Sequence, residues 1–363
     1  MQVAIVGLPG SGKTTVFSAL GGHAPVGGHA SGRAAPNVGV VPVPDERLEQ
    51  LTELFRPRRK VPADVTYLDV ALPAGATRAG LVDPDLLARI RNTDAFLHVA
   101  RAFEQPASER PAEPWRDVEE LDLEFVVADL DVATKRLERL RTAGRHGSAA
   151  ERDQNAREEV LLARLAAHLA DGHPARTVAL DPREELLLRG FRFLSQKPQL
   201  VVLNISEDQL AGATAQEEAA RAAHGGPATD VVVLAGRIEA EIAALAEEDA
   251  RLFLDDLGIT EASRGRVIRL TYALLGLLSF FTTGDDECRA WTLRRGDTAL
   301  DAAAAIHSDL ARGFIRAEVV RWDDLLACGS VAEARKRGLL RSEGRTYQVR
   351  DGDVVEILFN VAR

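Results

Sequence analysis

The sequence predicts an α/β fold: a mostly parallel sheet covered on both faces, interrupted by a helical hairpin and followed by a small α+β module. Three observations carry this. Short continuous apolar runs at 3–6, 65–70, 95–100, 200–203 and 231–234 alternate with helical stretches such as 85–91 and 235–246, as parallel strands buried on both faces do. Residues 116–195 break that alternation with leucine and valine at helical 3-4 spacing. After Gly284, alternating segments at 288–293, 315–320 and 347–359 surround a short helix near 301–310, with Asp351-Gly352 as a tight-turn signal.

The first apolar run leads into Gly7-Leu8-Pro9-Gly10-Ser11-Gly12-Lys13-Thr14, an unbroken match to G-x-x-x-x-G-K-[ST], and then into a helical stretch from Lys13 to Leu20. Glycines in such a loop let backbone N–H groups turn inward around phosphate oxygens, aided by the positive end of the helix. Lys13 supplies a point charge to the β/γ-phosphates, and the Thr14 hydroxyl is placed to ligate Mg²⁺. Strand, loop and helix in register make this a P-loop NTPase domain. Its candidate phosphate-binding residues are Gly7, Gly10, Ser11, Gly12, Lys13, Thr14 and Thr15.

Residues 21–36 lack periodicity and read as a loop. Asp69, at the end of the 65–70 strand, is the second metal candidate beside Thr14; the plainer reading is a strand-end aspartate capping a turn. Asn204-Ile205-Ser206-Glu207 follows the 200–203 run, and Ala235 follows the 231–234 run. Ligands of open α/β sheets bind at that carboxyl edge, which makes Asn204, Ile205, Glu207 and Ala235 candidate neighbours of a base.

In the interruption, Leu123, Val126, Leu130, Ala133, Leu137 and Leu140 form one stripe, and Leu162, Leu165 and Leu169 a second, with a polar link at 142–155. An antiparallel coiled-coil hairpin follows, its stripes forming their own seam. The expected domains are 1–115 with 196–277, the insertion 116–195, and a C-terminal module 278–363.

Forty-five basic against 55 acidic residues leave a formal charge of −10 on the 363-residue chain, so bulk charge does not suit it to coat nucleic acid. Within 312–350, however, nine basic residues accompany five acidic ones, a net +4 that is either a solvated face of mixed charge or an RNA contact. Arg335 and Arg337 are the pair on which that contact is expected to depend. Two cysteines give neither a disulfide framework nor a metal-ligand spacing. The longest nearly apolar run, 270–281, is too short to span a bilayer, and the chain opens into a strand without a charged leader. A cytoplasmic protein with no membrane partner is expected.

Further segments carry a specific resemblance. Asn37-Val38-Gly39-Val40-Val41-Pro42-Val43-Pro44-Asp45, Arg91-Asn92-Thr93-Asp94-Ala95, Arg289-Ala290-Trp291-Thr292, Gly313-Phe314-Ile315-Arg316-Ala317-Glu318-Val319 and Asp351-Gly352-Asp353 resemble the hallmark segments of the YchF (Obg-like) ATPases over essentially the whole chain. The resemblance implies a G domain, a coiled-coil insertion and a C-terminal TGS domain of β-grasp fold, with association with ribosomes or ribosomal RNA as the family theme. It also bears on the base. A guanine-specific site uses N-K-x-D, whereas this chain has Ile205 at the lysine position and Glu207 at the acid. On the residues alone, guanine selectivity is unsupported; the family's N-x-x-E segment implies ATP over GTP, with Mg²⁺.

The chain also departs from the family pattern. Arg33 falls where a switch I threonine is expected, Asp69-Val70-Ala71-Leu72 lacks the glycine of D-x-A-G, and no histidine lies between Gln105 and Trp115. Each change removes γ-phosphate sensing or water positioning, which supply most of phosphoryl-transfer catalysis. The expectation is nucleotide binding with slow or lost hydrolysis, with no catalytic residue assigned. The alternative is a non-catalytic ribosome- or RNA-binding module with degraded switches. A small-molecule kinase is disfavoured because no arginine-rich lid segment is evident.

Overall fold

A central sheet of six strands draws on the chain from Gln2 to Leu234. In the computed structural model, the structure describes residues 1–21, 37–70, 84–105, 110–143, 148–256 and 263–360. The first strands are β1 (Gln2–Val6), β2 (Asn37–Pro42), β3 (Arg59–Val61), β4 (Asp64–Asp69), β5 (Ala95–Arg101), β6 (Gln199–Asn204) and β7 (Thr229–Leu234). The helices among and after them are α1 (Lys13–Ala19), α2 (Glu46–Phe55), α3 (Pro84–Arg91), α4 (Pro114–Ala143), α5 (Ala149–Ala170), α6 (Pro182–Leu188), α7 (Ala213–His224), α8 (Gly236–Ala243), α9 (Glu247–Asp256) and α10 (Ser263–Leu274). The sheet runs β2-β4-β1-β5-β6-β7, with β1 parallel to both β4 and β5, β5 to β6, and β6 to β7.

Every residue of β5 and β6 is buried, the consequence of covering both faces of the sheet. On one face Ala4, Val6 and Phe96 pack with Leu86, Ile90 and Phe125, and farther along the same face Val201, Leu203 and Val233 pack with Val118, Ala220 and Ile238; the alternate residues Val3, Ile5, Leu97, Val99, Val202 and Val232, equally buried, line the other face. Because β1 lies inside the sheet, the chain first builds toward β4 and then crosses to β5. The carboxyl ends of β1, β4, β5, β6 and β7 therefore share one edge beside that reversal, where open α/β sheets bind ligands.

The hairpin is α4 and α5. Within α4, Val118, Leu121 and Phe125 face the sheet, the Phe125 ring 5.0 Å from that of Phe96. Farther along, Val126, Ala133, Leu137 and Leu140 close on Leu161, Leu162, Leu165 and Leu169 of α5. Leu123, expected in that seam, is instead 51% exposed. Where α4 packs on the sheet its inner face is set by positions 121 and 125, and position 123 points away from both. The link is also shorter than the expected 142–155, with 144–147 outside the described residues. Ser148 and Glu151 form a capping box that starts α5 at Ala149, a signal that the reading of 142–155 as a polar link passes over.

At the hairpin's base the fully buried Asp129 carboxylate accepts bonds from the Leu194 and Ser195 amides, the Ser195 hydroxyl and Arg91. Burial pushes this carboxyl above the usual range, and the amide and hydroxyl bonds oppose that shift.

The chain divides into two compact units, Met1–Gly39 with Thr66–Arg264, and Val40–Val65 with Gly265–Arg363. Residues 116–195 thus lie in the first unit with the parallel sheet, while the segment Val40–Val65, which the expected boundaries leave inside 1–115, lies in the second. The second unit adds β8 (Leu277–Thr282), β9 (Glu287–Arg294), β10 (Phe314–Arg321), β11 (Arg341–Glu343) and β12 (Asp353–Phe359). They form a second sheet in the order β11-β10-β12-β8-β9-β3. α11 (Ala299–Ile306) covers it, with Ala299, Ala302 and Ala303 packed on Phe280, Leu293, Ala317 and Val355. The expected single helix near 301–310 is α11 plus the short α12 (Ser308–Arg312), and α13 (Trp322–Cys328) and α14 (Val331–Lys336) come in addition. The last strand begins at Asp353, not at Tyr347, because Gly352 turns at φ +88°.

Within the basic 312–350 stretch, most cations carry an acidic partner. Arg312 pairs with Asp309, Arg316 and Arg335 with Glu318, Arg321 with Asp323, Lys336 and Arg337 with Glu333, and Arg341 with Glu343. Arg335 and Arg337 thus belong to a face of mixed charge.

Candidate nucleotide site

The loop after β1 folds through its glycines. A Cβ on Gly7 would lie 2.2 Å from the Val99 carbonyl oxygen, and one on Gly12, at φ +89°, 2.2 Å from Asn204 Nδ2. Both positions therefore require the close backbone approach that only glycine permits. Gly10 also holds positive φ, and Ser11 is buried beside it. Lys13 is 9% exposed, its ammonium donating to the carbonyls of Gly7 and Leu8 at 2.9 Å each. Burial lowers its pKa to about 8, partly countered by the Asp69 carboxylate. The loop thus holds a poised cation against its inner side.

Thr14 and Thr15 open α1, Thr14 exposed and Thr15 half-buried. The Thr14 hydroxyl donates to Asp69 Oδ2 at 3.1 Å, and the Asn37 amide donates to the same oxygen at 3.2 Å. Asp69 is 5% exposed, and its other oxygen, Oδ1, is buried without a hydrogen-bond partner among the described residues. An orphaned carboxylate oxygen beside a hydroxyl is a hard-oxygen pair that fits Mg²⁺, which takes one or two protein ligands and completes its shell with water and phosphate. No group of three or more His, Cys, Asp or Glu side chains that could hold a metal occurs among the described residues.

Asn204, at the end of β6, braces the loop. Its Nδ2 donates to the Ser11 carbonyl at 2.9 Å, and its Oδ1 accepts from the Gly236 amide at 3.0 Å. One side chain thus joins the loop to the start of α8. Ala235 precedes that helix and is buried; Ile205 is buried beside it, and Glu207 is exposed at the first residue of the turn Glu207–Gly212. Ser206 caps that turn with Gln209, whose amide donates to the Ala102 carbonyl. All the candidates for phosphate, metal and base therefore lie along one sheet edge.

Two neighbours escape the sequence reading. Asn37 shares Asp69 because β2 adjoins β4 in the sheet, an adjacency that no local pattern encodes. Gln105 Oε1 lies 3.5 Å from where a Cβ on Gly10 would sit, placing the side chain against the loop. Arg33, Ala71 and Leu72 lie outside the described residues, as do 106–109.

A family model named YchF-GTPase_C, described as a protein of unknown function (DUF933), matches residues 277–360. The chain is 38% identical to the ribosome-binding ATPase YchF of Bacillus subtilis over 369 residues, covering 99% of this chain and 100% of that protein. It is 39% identical to the ribosome-binding ATPase YchF of Haemophilus ducreyi, with 99% of each covered. The structure of the Schizosaccharomyces pombe YchF GTPase superposes with a TM-score of 0.86 at 26% identity, covering 99% of this chain and 97% of that one.

Proposed function

The chain belongs to the YchF family, a P-loop G domain with a helical hairpin and a C-terminal TGS domain, and from that membership and the loop geometry we propose an ATP-binding NTPase with slow hydrolysis. It acts as a nucleotide-dependent switch on ribosomes. The observation that carries this reading is the Lys13 ammonium held at 2.9 Å by two loop carbonyls, in a loop braced by Asn204. A triphosphate entering the loop offers that cation anionic oxygens in place of neutral carbonyls, a stronger charge-assisted bond.

The residues divide the work. Backbone amides from Gly10 to Thr15 hold the phosphate chain, and Lys13 neutralises its outer charge. Thr14 and Asp69 would hold Mg²⁺, which when bound neutralises charge on the β- and γ-phosphates. Asn204, Ile205 and Ala235 wall the base, and Glu207 favours adenine because its carboxylate, one methylene longer than a guanine-reading aspartate and without the partner lysine, is not set to accept both hydrogen bonds of a guanine edge. Hydrolysis is slow because Arg33 and Leu72 replace the residues that sense the γ-phosphate, and no histidine lies between Gln105 and Trp115.

The test is single-turnover hydrolysis of ATP with Mg²⁺, beside binding of the same nucleotide. Tight binding with slow turnover, both lost in Lys13→Ala, is expected; rapid turnover abolished by that substitution would overturn the slow-hydrolysis reading. Ribosome co-sedimentation with ATP, with ADP and without nucleotide tests the switch, and equal binding in all three states would leave a non-catalytic binding module.

A further inference from the structure

Ion pairing neutralises most of the C-terminal cations. In the described stretch from Arg312 to Arg350, six of the nine cations form the ion pairs already given with Glu or Asp of that stretch, Arg312 pairs with Asp309, and Arg345 donates to the Phe314 carbonyl. Arg350 is left, and in the preceding β9–α11 turn so is Arg295. Among the described residues neither guanidinium has a carboxylate or carbonyl partner, and both are exposed.

These two residues line the same cavity, of about 420 Å³, within the second unit. Its other walls include Tyr347, Gln348 and Asp351. The Tyr347 hydroxyl accepts from Arg341 at 3.0 Å and donates to Asp353 at 2.8 Å, so its ring is fixed. The Asp351 carboxylate is engaged by Arg47 at 2.9 Å and by the Ser279 amide at 2.9 Å, which offsets its charge toward an anion. Two cations without counter-ions in one concavity repel each other and favour an anion that bridges them.

We propose that Arg295 and Arg350 form a phosphate-binding site for the RNA backbone, with Tyr347 and Gln348 beside it to meet a sugar or base. The site deepens the ribosome reading above and rests on it. A polymer is favoured over a free small molecule because Arg295, Gln348 and Arg350 are all exposed. Stand-alone ligand sites bury most of their ligand, whereas an exposed phosphate contact suffices as one of many along a strand.

The test uses the full chain and a fluorescent single-stranded oligoribonucleotide, with affinity measured over a series of salt concentrations. Arg295→Ala with Arg350→Ala is expected to weaken binding about ten-fold and to flatten the log–log salt slope by about 1.4, two phosphate contacts on a single strand. Arg335→Ala with Arg337→Ala, whose guanidiniums are already paired, should change both by much less. ATP binding and the thermal midpoint of each variant should match wild type, showing intact folding. Equal effects of the two pairs, or no binding by the wild-type chain, would overturn the site. Ribosome co-sedimentation separates the two levels. A wild-type chain that sediments with ribosomes and is unmoved by the 295/350 pair removes this site alone, whereas one that does not sediment removes the ribosome reading as well.

Discussion

The poised ammonium of Lys13 makes nucleotide affinity depend on pH in a defined window. Its pKa is about 8 in the free chain, so it is about nine-tenths protonated at pH 7 and about one-tenth at pH 9. A bound triphosphate favours the charged form and moves the pKa back toward 10.5, so binding takes up a proton above pH 8. Affinity is fully present below about pH 8 and is lost as pH rises toward the bound-state pKa. From pH 7 to pH 9 the dissociation constant should rise about ten-fold, or about 1.4 kcal/mol. Isothermal titration of ATP–Mg²⁺ between pH 6.5 and 9.5 measures this directly. Lys13→Met, which keeps the volume and removes the charge, should bind weakly and without the slope. A flat wild-type profile, or the same slope in the Met variant, would remove Lys13 as the source of the pH dependence.

Three further outcomes follow from the packing. Asn204→Ala strands the buried Gly236 amide and frees the loop from α8, costing about 1–3 kcal/mol of stability, read by denaturant unfolding, and weakening ATP. Asp69→Ala should remove most of the Mg²⁺ enhancement of ATP binding while leaving Mg²⁺-free binding nearly unchanged; an unaltered Mg²⁺ dependence would take Asp69 out of the metal site. In the hairpin, Leu123→Lys should stay within about 0.5 kcal/mol of wild type, whereas Leu137→Ala in the buried seam should cost about 2–5 kcal/mol.

What was legible in the sequence were the features written locally. The G-x-x-x-x-G-K-T loop, the continuous apolar strands and the change of texture after residue 284 each depend on neighbours in the chain, and each corresponds to an element of the fold. The relations that failed depend on distant partners. Leu123 fits the 3-4 stripe, yet the sheet claims positions 121 and 125 and turns it outward. The short α13 and α14 lack enough turns to show a period. Net charge over 312–350 was readable, but not the ion pairs across β10 and α14 that neutralise Arg335. At the site, Thr14 and Asp69 could be named separately, whereas their 3.1 Å contact and the shared Asn37 arise from the order of strands β2, β4 and β1.

An ATP-preferring, Mg²⁺-assisted P-loop site is tested by an equilibrium titration of ATP, ADP and GTP with and without Mg²⁺. The expected result is ATP binding at least ten-fold tighter than GTP, strengthened by Mg²⁺. GTP binding equal to or tighter than ATP, or affinities indifferent to Mg²⁺, would contradict it.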